Sequence, residues 1–66
     1  MRVFINDKAV ECESGATLTA LLEANGVATD NVAVALDFEV IHREAWDATT
    51  PQEGSSIIII KASQGG

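Results

Sequence analysis

Residues 56–66 read "SIIIIKASQGG": four isoleucines, Ile57 to Ile60, then a short run of small and polar residues ending in Gly65-Gly66. The isoleucine run predicts a strand over 56–62, since β-branched side chains fit a pleated, half-buried surface. Four isoleucines on an exposed edge would template aggregation, so the strand belongs in the middle of a sheet. Because the four are consecutive, the run does not reveal which members face the core and which face out.

The chain before it supplies the neighbours. "RVFIN" (2–6) alternates, with Val3 and Ile5 on one face and Arg2, Phe4 and Asn6 on the other. "AVECE" (9–13) sets Val10 and Cys12 against Ala9, Glu11 and Glu13. Turn chemistry at Asn6-Asp7-Lys8 joins the two into a hairpin over 2–13. In "SGATLTALLEANG" (14–26), Leu18, Leu21 and Leu22 follow the i, i+3, i+4 spacing of one buried stripe. Ser14 or Thr17 can cap a helix over about 17–25, and Gly26 stands where a left-handed residue would stop it.

"VAVAL" (32–36) is almost wholly apolar, as an inner strand is, and "EVI" (39–41) reads as a short return strand. The turn between them, Asp37-Phe38, lacks the Asn-Gly chemistry of a type I′ turn, which argues against that geometry. "HREAWDATTPQEGSS" (42–56) is a connection with a helical turn near Glu44–Asp47. Trp46 reads as a core residue at the periphery rather than as a contact. The order ββαββ(loop)β, with the last strand placed centrally beside the first and the helix across one sheet face, is an α+β fold. It is a β-grasp, or ubiquitin-like roll, with a mixed sheet of about five strands. The domain is expected over 1–62, followed by a flexible Gly-Gly tail over 63–66.

Composition sets the limits on function. Sixty-six residues make one domain that buries only roughly 60% of the surface its unfolded chain would expose. With one cysteine and no Cys/His cluster, neither a disulfide nor a metal staples it, so the 47% of hydrophobic residues must supply the core. Ten acidic residues against four basic ones give a net charge of −6, which argues against nucleic acid as a partner. "MRVFIND" lacks the apolar segment of a signal peptide, and no stretch approaches the ~20 apolar residues of a membrane span. A membrane is therefore not expected as a partner, and the single Cys12 fits a reducing cytoplasm.

The residues of an enzyme are missing. His42 is the single histidine and Cys12 the single thiol. Cys12 shares its strand face with Val10, which makes it a small core residue, and His42 reads as an ordinary residue at a strand end. The carboxylates are scattered, no phosphate-binding glycine loop occurs, and the chain has little room for a closed ligand cavity. No catalytic residue, metal or bound cofactor is expected. The expected working group is instead the terminal carboxylate on Gly66. A carboxylate activated inside a partner's narrow channel needs neighbours without a Cβ, and glycine alone meets that demand.

The whole chain resembles the ThiS family, the small sulfur carriers of thiamine biosynthesis. "VFIND" (3–7) resembles that family's first hairpin, and "ATLTALLEANG" (16–26) its helix. "VAVALDFEVIHREAW" (32–46) is similar to its central hairpin, ending in an arginine with a tryptophan three residues later. "EGSSIIIIKASQGG" (53–66) is similar to its last strand and tail. Two positions depart from the family's pattern: His42 stands where proline commonly precedes the arginine, and Gly54-Ser55 replaces Gly-Asp, removing one capping carboxylate.

The resemblance implies a carrier rather than a catalyst. An adenylating, ThiF-like activating enzyme would use ATP to form an acyl-adenylate on Gly66, and a sulfur-donor protein would convert it to a thiocarboxylate. A ThiG-like thiazole synthase would then take the sulfur. Gln64 and Gly65 would thread the partner's channel. Family precedent turns Ile57 and Ile59 inward, leaving Ile58 and Ile60 outward with Phe4 as a partner interface. The alternatives are a carrier for molybdopterin or another sulfur metabolite, a ubiquitin-like modifier of protein lysines, and a plain interaction module. Molybdopterin carriers are usually longer in mid-chain, which favours thiamine.

Overall fold

Two tight turns set the strands. Arg2–Ile5 forms β1 and Lys8–Glu11 forms β2, antiparallel in the register Val3↔Val10 and Phe4↔Ala9. The two residues between them, Asn6 and Asp7, both have positive φ (49° and 69°), as a type I′ turn requires. Asn and Asp tolerate that region, so the hairpin closes on the twist the strands need. Asn6 does a second thing: its side-chain oxygen accepts the backbone N–H of Ile59 at 2.9 Å. This fixes the end of β1 against the last strand. The computed structural model describes residues 1–61. The expected tail, 63–66, lies outside the described residues.

The helix α1, Leu18–Ala24, begins at Thr17, whose hydroxyl accepts the N–H of Ala20 at 3.1 Å. Thr17, rather than Ser14, is the cap. At the other end Gly26 (φ +71°) donates to Glu23 O at 3.1 Å and Val27 to Leu22 O at 3.0 Å. These are the paired bonds of a Schellman motif, with Val27 packed on the core as its apolar partner. Leu18, Leu21 and Leu22 are all buried by the sheet face they meet.

Val32–Leu36 forms β3 and Glu39–Ile41 forms β4. The turn between them corrects the expectation stated above: Asp37 (φ +50°) and Phe38 (φ +72°) both occupy the left-handed region, so the geometry is that of type I′. The reason is Asp37. Its carboxylate accepts the N–H of Ser56 at 2.9 Å and the hydroxyl of buried Ser55 at 3.3 Å, while its own N–H donates to Ser56 O at 2.8 Å. A carboxylate at the start of the last strand is thus supplied from this turn, where the Gly54-Ser55 sequence does not carry one. Phe38 accepts a strained φ with its ring 87% exposed.

A 3-10 helix, Arg43–Ala48, leads to the last strand, β5, Ser56–Lys61. The sheet order is β2-β1-β5-β3-β4. β5 runs parallel to β1 (Ile5↔Ile57) and antiparallel to β3, from Val32↔Lys61 to Leu36↔Ile57. Val3, Ile5, Val34 and Ile57 meet the three leucines of α1 and Trp46 in one core. Trp46 is 3% exposed and donates its indole N–H to Ile41 O at 2.9 Å, so it belongs to the main core and not to its periphery.

Two substitutions test this arrangement by denaturant midpoint. Ile57→Ala should cost about 3 kcal/mol, in the range for truncating a buried isoleucine, and Ile60→Ala on the same strand less than about 1 kcal/mol. Equal losses would contradict the assigned faces. Phe38→Gly should raise stability by roughly 0.5–1 kcal/mol, because relief of a left-handed φ outweighs the added freedom of the unfolded chain. A loss would show that the exposed ring packs on something.

Candidate functional site

The faces of the sheet follow from register. Residues paired across strands point to the same side, and those two apart along a strand do so as well. Ile57 is fully buried and Ile59 packs against the core, so Ile58 and Ile60 face away from α1. Ile58 pairs with Ala35, and Ala35 with Val40, giving one apolar row across three strands. Ile60 pairs with Ala33 one pleat further on. Phe4, half-buried, pairs with Ser56, one pleat before Ile58 on the same face.

Phe4, Ile58 and Ile60 therefore share the outer face, with Ile58 linking the other two. Ile60 is 51% exposed and Val40 is 61% exposed. Together they make a contiguous apolar strip rather than scattered single residues. Sequence reading missed Val40 and Ala35. Alternation in "EVI" is too short to assign, and the signal lies in the cross-strand register rather than in either strand alone.

Among the described residues, the single thiol and the single imidazole stand far apart. Cys12 follows β2 and His42 follows β4, the two opposite edges of the sheet, so no thiol–imidazole pair forms. Cys12 is partly buried against the core, in keeping with its place on the Val10 face. Among the described residues no group of three or more His, Cys, Asp or Glu side chains is placed to hold a metal ion. No helix among them is long and apolar enough to cross a membrane.

At the end of β5 the surface changes character. An open groove there is lined by Asp30, Asn31, Val32, Ala33, Arg43 and Ile60. Arg43 lies on its rim, its guanidinium carbon 4.9 Å from the centre of the Trp46 ring and an Nη2–H donated to the carbonyl of Thr29. The spacing is what places it: in a 3-10 helix side chains at i and i+3 eclipse, so an arginine three residues before a tryptophan stacks on it. Lys61, the last residue of β5, pairs with Val32 beside this groove.

A five-stranded mixed sheet with β5 central, parallel to β1, and a single α-helix over one face defines a β-grasp protein. The family model for ThiS matches residues 3–66, and the chain belongs to the ThiS family. The sulfur carrier protein ThiS of Escherichia coli (strain K12) is 30% identical to it over 66 residues, with all of both chains covered. A crystal structure of thiamine biosynthesis protein ThiS from Geobacter metallireducens superposes with a TM-score of 0.82 at 37% identity, again over the full length of both. A solution structure of a thiamine biosynthesis protein from the same organism gives a TM-score of 0.72 at 35% identity, covering all of this chain and 88% of that one.

Proposed function

We propose that this chain is a sulfur carrier of thiamine biosynthesis whose payload is a thiocarboxylate on Gly66. The observation that carries the reading is the ThiS match reaching from residue 3 to Gly66, on a domain whose sheet ends beside an apolar face. The E. coli carrier aligns with it over its entire length, which brings the Gly65-Gly66 end into the comparison.

The chemistry divides between carrier and partners. An oxygen of the Gly66 carboxylate attacks the α-phosphorus of ATP in an adenylating enzyme, and pyrophosphate leaves. The acyl-adenylate is then open to a sulfur nucleophile from a donor protein, which attacks the carbonyl carbon and expels AMP. Where the donor delivers a persulfide, a further thiol cleaves the sulfur–sulfur bond left behind. The thiocarboxylate so formed is a better nucleophile than the carboxylate at neutral pH, and a thiazole-forming synthase takes its sulfur. Glycine at 65 and 66 keeps Cβ atoms away from the reacting carbon, with Gln64 at the entrance of the channel. ATP belongs to the partner, and this chain contributes the carboxylate and the surface that presents it.

The outer face of Phe4, Ile58 and Ile60, extended by Val40, is the surface the partners hold. Apolar area at the centre of such a patch contributes affinity out of proportion to its size. The test is adenylation by the activating enzyme, followed as pyrophosphate release that depends on the carrier. Deleting Gly66 should abolish it while leaving the thermal midpoint unchanged, because all the described buried residues lie between Val3 and Ile57. Ile58→Glu should raise KM for the carrier by about tenfold or more, as expected of a charge placed in an apolar contact. Full turnover of the Gly66 deletion would defeat the reading.

A further inference from the structure

We propose that Arg43 is a docking residue: its guanidinium, held on the rim of the groove beside β5, receives a carboxylate presented by the adenylating partner. The inference rests on the reading of the outer face as a partner surface and adds to it a charged contact.

Three observations point this way. The first is that Arg43 is exposed and yet fixed. Trp46 supports one face of its guanidinium, and the Thr29 carbonyl takes one of its N–H groups. A guanidinium ordered in advance loses little freedom when it forms a two-pronged bond to a carboxylate. The second is that no described residue neutralises Arg43. The chain carries ten acidic residues, and Arg2 pairs with Glu11 at 3.2 Å, but among the described residues no carboxylate lies within ion-pair distance of Arg43. Asp30 lines the same groove without closing on it. Arg43 also opens a 3-10 helix, the end where a cation is least favoured, so helix electrostatics do not explain its position.

The third observation is continuity. Ile60 belongs both to the exposed apolar face and to the groove that Arg43 borders, so one partner covering the face also reaches the groove. Five residues follow Lys61, and a chain of that length spans at most about 17 Å. In a tail extended into a channel, the reacting carboxyl and its nucleotide lie far from the globule, whereas Arg43 stays at its surface. The anion within reach of Arg43 is therefore a carboxylate at the mouth of the partner's channel and not the phosphate of the adenylate.

The experiment compares wild type, Arg43→Gln and Arg43→Lys as substrates of the adenylating enzyme at low and moderate ionic strength, with thermal midpoints measured in parallel. Arg43→Gln should raise KM by about tenfold at low salt, the scale of one charge-assisted hydrogen-bonded pair, with kcat within about twofold. Its KM should also depend less on salt than that of the wild type. Arg43→Lys should fall between the two, keeping the charge but losing the planar fork. A KM for Arg43→Gln within about twofold of wild type at both salt concentrations would overturn the proposal. So would a rise that follows the thermal midpoint downward and keeps the wild-type salt slope, since that is the signature of a brace and not of a charged contact. Absence of any adenylation of the wild-type chain would instead overturn the carrier reading, and this proposal with it.

Discussion

Everything in this molecule depends on β5 lying between β1 and β3. A strand of four isoleucines has no stable place at an edge; β3 pairs with it from Ile57 to Lys61 and β1 with its start, hiding Ile57 completely. The parallel partner β1 comes from the start of the chain and β5 from its end, so the pairing joins the two halves across the whole sequence. Side chains secure the register where the ladder is short. Asn6 holds Ile59 from the β1–β2 turn, and Asp37 holds Ser56 from the β3–β4 turn. Both holding residues occupy left-handed backbone, so the two hairpin turns and the central strand specify one another.

Much of this was legible in the residues. The leucine stripe of α1, the Gly26 stop and the alternation of β1 and β2 are local signals, and local signals survive folding. The isoleucine run was legible as a central strand, but its faces were not, because four identical side chains carry no alternation. The family resemblance turned Ile57 and Ile59 inward, and the burial of Ile57 with the packing of Ile59 on the core agrees. The Asp37-Phe38 turn misled for a comparable reason. Its local preference opposes type I′ geometry, and the force that overrides it is a carboxylate bonded to residues nearly twenty positions away in the chain. Trp46 looked peripheral because it stands in the connection 42–56, outside the expected strands and helix. It is central because the 3-10 helix turns it into the space beneath α1 and β4.

The arginine and tryptophan at 43 and 46 show how a spacing can have a physical cause. A 3-10 helix superposes side chains three apart, so the buried indole becomes a platform for an exposed cation. In a domain with little interior to spare, one aromatic side chain thereby serves the core on one face and the surface on the other.

A carrier of this kind needs few chemical groups of its own. The fold supplies a rigid base and an apolar face running out along β5. The most direct test is an intact-mass spectrum of the protein taken from its own cells, with fragmentation to locate any change. The account predicts a fraction in which one oxygen is replaced by sulfur, confined to the fragment containing Gly66. Unchanged mass there, persisting after incubation with the adenylating enzyme, ATP and a sulfur donor, would contradict it.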